Sequence, residues 1–291
     1  MTNTNEKLIE KIKILRFKTG ISFIECKKAL IETNLNIEEA ILYLRKTGTL
    51  NAIKRNDKTA LEGLITSYIN EEKNKAVIME INCETDFVSK SDEFKNFCDK
   101  ISKYFLYENT NENLNLKKND ILLPDLLDNE KINIISKFKE NIIINRLIKI
   151  TSHDNQIFGY SHGSLHHGKI ASLIIIKKHT DAVDEIMKDI SMQIVAMKAK
   201  YLTINSISEN IIENEKNIII ENTNLNYKNK TAEQIENIIQ NNIKKFYQEV
   251  VLMEQTFIKN QNFKIKDLVN NNNIEIKNFI RFEVGEESNL C

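Results

Sequence analysis

The sequence is nearly without proline, entirely without tryptophan, and without net charge. One proline among 291 residues, beside abundant Ile, Asn and Lys, is read as the mark of a nucleotide-biased genome rather than of a function, and the scattered Asn-rich stretches need not mean disorder. The 41 basic and 41 acidic residues cancel, which excludes the long-range field of a general nucleic-acid binder. Four cysteines, Cys26, Cys83, Cys98 and Cys291, show neither CxxC spacing nor the density of a disulfide scaffold, so reduced structural thiols are expected. No apolar run nears the roughly 20 residues that span a bilayer, and "MTNTNEKLIEKIKIL" lacks the apolar core of a secretory leader. A cytoplasmic protein with no membrane contact is the expectation.

What is present is patterned. The chain is long enough for two or three compact units, and a 41% hydrophobic content can give each a core. Apolar residues recur at helical spacing three times within the first 50 residues: Leu8, Ile12 and Leu15; Ile24, Leu30 and Ile31; Ile37, Ala40, Ile41 and Leu44. Gly20 punctuates the first break and Gly48 the last, and Ser22 with Glu25 forms a capping box. A three-helix module over 1–50 follows, then a polar connector at 51–58. The first 58 residues carry 12 Lys or Arg against 7 Asp or Glu. That excess fits an acidic partner surface, and equally a solvated helical face.

Beyond the connector, "ALEGLITSYI" and "KAVIMEINCE" read as two antiparallel strands, and the spacing of Phe94, Phe97, Cys98, Ile101 and Phe105 predicts a helix capped by Ser91. A helix over about 128–140 closes a first core subdomain, 59–140. The second, 141–291, is expected to hold the strands "NIIINRLIKIT", "QIFGYSH" and "KIASLIIIKK", then a helix with Met187, Ile190 and Ile194 on one stripe. A helical hairpin at about 208–247, a short helix at 266–271 and a final strand in "IKNFIRFEVGE" complete it. The class is α+β.

Catalytic signals are weak. "GSLHHGK" satisfies most of a phosphate loop, but Ile170 replaces the magnesium-binding hydroxyl and "IASLIIIKK" reads as a strand where a helix is required. His162, His166 and His167 have no second ligand pair at metal spacing, and Cys83 and Cys98 sit on apolar patterns that favour inert thiols. No cofactor, no metal and no enzyme activity is expected. The junction "NCETDFVSK" differs in kind, since an aromatic beside a carboxylate suits insertion into a protein partner. From spacing alone, however, Phe87 is better read as a core residue turning inward.

Three motifs in order, "LRFKTGISFIECKKAL" (15–30), "NCETDFVSK" (82–90) and "FIRFEVGE" (279–286), make the chain resemble the elongation factor Ts family over residues 8–287. The resemblance implies a ubiquitin-associated-like three-helix domain, two α+β subdomains with antiparallel sheets, and a helical hairpin projecting from the second. It implies the function of guanine-nucleotide exchange factor for elongation factor Tu, GDP-bound and nucleotide-free, in translation elongation, with no direct contact to nucleic acid. A homodimer or a two-to-two complex is compatible with it.

The family motif falls on Thr85, Asp86, Phe87 and Val88, where it implies disturbance of the partner's magnesium site, the aromatic wedging between partner side chains. That reverses the inward reading of Phe87. The same resemblance puts Arg16, Phe23 and Ile24 against the GTPase, the basic residue steering and the apolar pair burying area. Gln193 and Ile194 fall on a second contact element; better-known members carry His where this chain has Gln193, so a charge-switching role there is not expected.

Overall fold

The computed structural model describes residues 2–19, 21–55, 59–108, 113–179, 183–227 and 230–286. The described residues open with α1 (Thr2–Thr19), α2 (Phe23–Glu32) and α3 (Ile37–Arg55). Ile12, Leu15, Cys26, Leu30, Ala40 and Leu44 are drawn together as one small core. Ser22 caps α2, its hydroxyl accepting from the Glu25 amide at 3.4 Å and donating to the Glu25 carboxylate at 3.1 Å. Gly20 lies outside the described residues.

Gly48 does not end α3, which runs on to Arg55; residues 51–55 of the expected connector are therefore helical, and 56–58 lie outside the described residues. The glycine serves close approach. A Cβ there would stand 2.7 Å from Ser136 Oγ and 3.3 Å from Ile132 Cγ2, both on α6 (Asp125–Phe138). Gly48→Val is expected to overpack this crossing by about 1–3 kcal/mol and to lower the melting temperature by several degrees in a circular-dichroism scan.

The chain forms two compact units, one gathering residues 1–68, 77–149 and 283–291, the other 69–76 and 150–282. In the first, β1 (Glu62–Ile69) and β2 (Lys75–Cys83) lead into α4 (Asp86–Lys90) and α5 (Asp92–Tyr107); β3 (Leu114–Lys117), α6 and β4 (Ile143–Thr151) follow. The strands lie in the order β3-β4-β2-β1. Helix α5 forms because Phe94, Phe97, Cys98, Ile101 and Phe105 share one face; all are buried, against Val77, Met79, Ile81 and Cys83 of β2. Strand β3 was not visible in the sequence. Only four residues long and alternating in exposure, it pairs antiparallel with β4 in the register Leu114↔Lys149 to Lys117↔Arg146.

The expected division near residue 140 therefore differs from the structure. Ile142, Ile144 and Leu147 join the first core, so most of β4 belongs with the first unit. The second unit holds β5 (Asn155–Gly163), β6 (His167–Lys177), α7 (Asp184–Ala196), α8 (Glu209–Asn226), α9 (Ala232–Val250), α10 (Ile265–Asn271) and β7 (Ile276–Glu283). Both β5 and β7 pair with β6. Helices α8 and α9 pack on one another as the expected hairpin, with Thr231 and Gln234 forming a capping box at the start of α9. Among the described residues no helix is long and apolar enough to cross a membrane.

Candidate functional site

The segment after β2 is built so that two side chains must face outward. Thr85, in extended conformation, precedes a single turn of helix. Had the chain stayed extended, Phe87 would share a face with Thr85 and Ser89; the helical turn instead groups 86, 87 and 90 on one side and 88 and 89 on the other. Val88 and Ser89 are buried, and Val88 joins the first core. Phe87 is 83% exposed. Its ring is not sealed in the interior.

Asp86 stands beside it, its carboxylate accepting from Lys90 Nζ at 2.6 Å. This bond, and then the carboxylate's charge, holds the Lys90 ammonium above its ordinary pKa. Both side chains are well exposed, so the pair contributes little to stability and is cheap to open. Ser89 Oγ donates to the Asp86 carbonyl at 3.0 Å and Ser91 Oγ to the Val88 carbonyl at 2.8 Å, closing the turn onto α5.

The base of the turn is fixed from a distance. The Thr85 amide donates to Glu140 Oε2 at 2.9 Å and its hydroxyl to Glu140 Oε1 at 2.5 Å. In return, the Asn141 amide donates to Glu84 Oε1 at 2.7 Å. Nothing near "TDFV" in the sequence signals Glu140, which lies 55 residues away from Thr85.

In the three-helix module, Arg16, Phe23 and Ile24 are all exposed, Ile24 at 77%. The structure adds Phe17, 93% exposed between Arg16 and Lys18. Its signal was present: residue 17 falls off the 8, 12, 15 stripe, leaving an aromatic on the polar side of an amphipathic helix. Gln193 and Ile194 are placed otherwise. Both are 0% exposed in the second unit, where Gln193 donates to Gln255 Oε1 and the Thr256 carbonyl at 3.1 Å each and accepts from the Ile258 amide at 2.9 Å. The pair that the resemblance assigns to a second contact element is therefore interior: Ile194 lies on the buried stripe of α7, and the Gln193 side chain donates twice and accepts once inside.

"GSLHHGK" is the β5–β6 hairpin, closed by the Ser164 amide on the His167 carbonyl at 2.9 Å, and it runs into a strand rather than a helix. Cys26, Cys83 and Cys98 are buried thiols, and burial pushes the Cys98 thiol well up; Cys291 lies outside the described residues. Among the described residues no group of three or more His, Cys, Asp or Glu is placed to hold a metal.

The family model described as "Elongation factor TS" matches residues 84–286, beginning at the residue before Thr85. The chain is similar to the "Elongation factor Ts" of Aquifex aeolicus (strain VF5), 34% identical over 288 residues, covering 95% of this chain and 97% of that protein. The protein of the same name from Halothermothrix orenii (strain H 168 / OCM 544 / DSM 9562) is 36% identical over 282 residues, covering 96% and 92%. That of Hydrogenovibrio crunogenus (strain DSM 25203 / XCL-2) is 34% identical over 275 residues, covering 94% and 90%.

Proposed function

The chain belongs to the elongation factor Ts family of translation elongation factors, and on that premise we propose that it binds elongation factor Tu and promotes GDP release by disturbing the magnesium and phosphate site. The observation that carries this reading is the 83% exposed Phe87 beside Asp86 on a turn anchored by buried Val88. The ring enters an apolar slot of the partner. The carboxylate, released from Lys90, competes for the groups that hold the magnesium.

The exposed Phe23 and Ile24 of α2 supply buried area at a second patch, and Arg16 of α1 supplies steering. Gln193 and Ile194 act from beneath the surface, the glutamine holding the 256–258 segment in place. No covalent step is needed. Exchange follows from one coupling free energy by which the factor weakens GDP and GDP weakens the factor to the same degree.

That reciprocity gives the test. Fluorescent GDP bound to elongation factor Tu should leave faster as the chain is added, and the chain's own affinity for the GTPase, measured by titration with and without GDP, should fall by the factor by which GDP affinity falls. GDP release indifferent to the chain would end the reading.

A further inference from the structure

We infer that Glu140 is a positioning residue for the Phe87 wedge. This rests on the reading just given and deepens it: α4 supplies the ring, but the turn between α6 and β4 sets where the ring points.

A single helical turn of five residues is too short to hold its own orientation, because forming the first turn fixes several dihedral angles for one hydrogen bond. An N-cap threonine ordinarily spends its hydroxyl on the amides of that turn. Thr85 makes no such bond. Both of its donors go instead to one carboxylate, the amide to Glu140 Oε2 at 2.9 Å and the hydroxyl to Glu140 Oε1 at 2.5 Å. Bonds to an ionised acceptor are short, strong and directional. Two of them at one residue fix the position and the rotation of the chain where it enters α4.

The arrangement is reciprocal, since the Glu84 carboxylate accepts from the Asn141 amide at 2.7 Å. Each segment lends a side chain to the other's backbone, as neighbouring strands would lend carbonyls. Lys139 makes the turn that permits it: with φ at 60° it ends α6, its amide bonding the Ile135 carbonyl at 2.8 Å. Its ammonium lies 3.3 Å from Glu25 Oε1 on α2, the helix of Phe23 and Ile24. That exposed pair is weak alone, yet it puts both patches on one support. A misplacement of about 1 Å at such a site costs up to a hundredfold in rate.

The test uses the full chain with Glu140→Ala, Glu140→Gln, Thr85→Val and Phe87→Ala, and the Glu140→Ala/Phe87→Ala pair. Release of fluorescent GDP from elongation factor Tu gives a maximal rate and a half-saturating concentration for each. For Glu140→Ala the maximal rate is expected to fall about tenfold with half-saturation within about twofold. Glu140→Gln, which keeps one acceptor oxygen, should recover part of the rate. In the free protein, amide exchange at 85–88 should quicken in Glu140→Ala while α5 keeps its protection. The double variant should be no slower than Phe87→Ala.

A Glu140→Ala chain with wild-type release, additive losses in the double variant, or unchanged exchange at 85–88 would overturn the inference. If Glu140→Ala does not fold, Thr85→Val decides by the same criteria, since it removes the hydroxyl bond and keeps the shape. Wild-type release by Phe87→Ala would instead sink the wedge itself, a different result from the loss of its support.

Discussion

Phe87→Ala is expected to lower the maximal rate of GDP release from elongation factor Tu about a hundredfold, by truncating an interface anchor of about 2–4 kcal/mol at 1.4 kcal/mol per decade. Its melting curve should not move. The ring is 83% exposed and its own fold owes it almost nothing, whereas Val88 next to it is buried in the first core. Phe87→Leu should fall between the two, retaining apolar volume but losing the flat ring on which the proposed insertion relies. The contrast to watch is Val88→Ala, which should cost stability rather than act on release alone. Wild-type release by a folded Phe87→Ala chain would mean that the partner does not receive the ring.

The exposed Asp86–Phe87 pair was half legible in the sequence. That an aromatic and a carboxylate sat where a strand ends could be read directly; which way the ring faced could not, since extended and helical continuations put residue 87 on opposite sides. The decision lay with the helical turn, whose entry at Thr85 is hydrogen-bonded to Glu140, far along the chain. Periodicity found α5 and α7 because each buries a long stripe, and it found α6 and the α8–α9 hairpin from apolar residues at helical spacing although few of them are fully buried. It missed β3, whose four residues bury too little to leave a pattern, and it misread Gly48, whose missing Cβ answers to Ser136 on another helix rather than to a local break. The placement of Gln193 was not legible either, because it adjoins the Ile194 stripe without belonging to it and its partners at 255, 256 and 258 lie more than 60 residues on.

Arg146→Met is expected to destabilise the first unit by about 3–5 kcal/mol, the cost of leaving a buried charge without its partner. Glu80 is fully buried on β2 and Arg146 nearly so on β4, with Nε to Oε2 at 2.7 Å. The carboxylate's other oxygen takes the Asn82 side-chain amide at 3.0 Å and the Gly285 amide at 2.8 Å, and the Arg146 guanidinium donates to the Glu283 carbonyl at 2.9 Å. Residues 283–285 are thereby fastened to β2 and β4, and Gly285 is needed there because its φ of 76° is strained for any side chain. At roughly 2–4 °C per kcal/mol for a unit of this size, the melting temperature should fall by about 10 °C. Glu80→Gln/Arg146→Met should recover much of that, since removing both charges removes the desolvation cost with the attraction. A single variant that melts with the wild type would show that water reaches Glu80, and that the return of the chain at 283–285 is held by packing instead of by this ion pair.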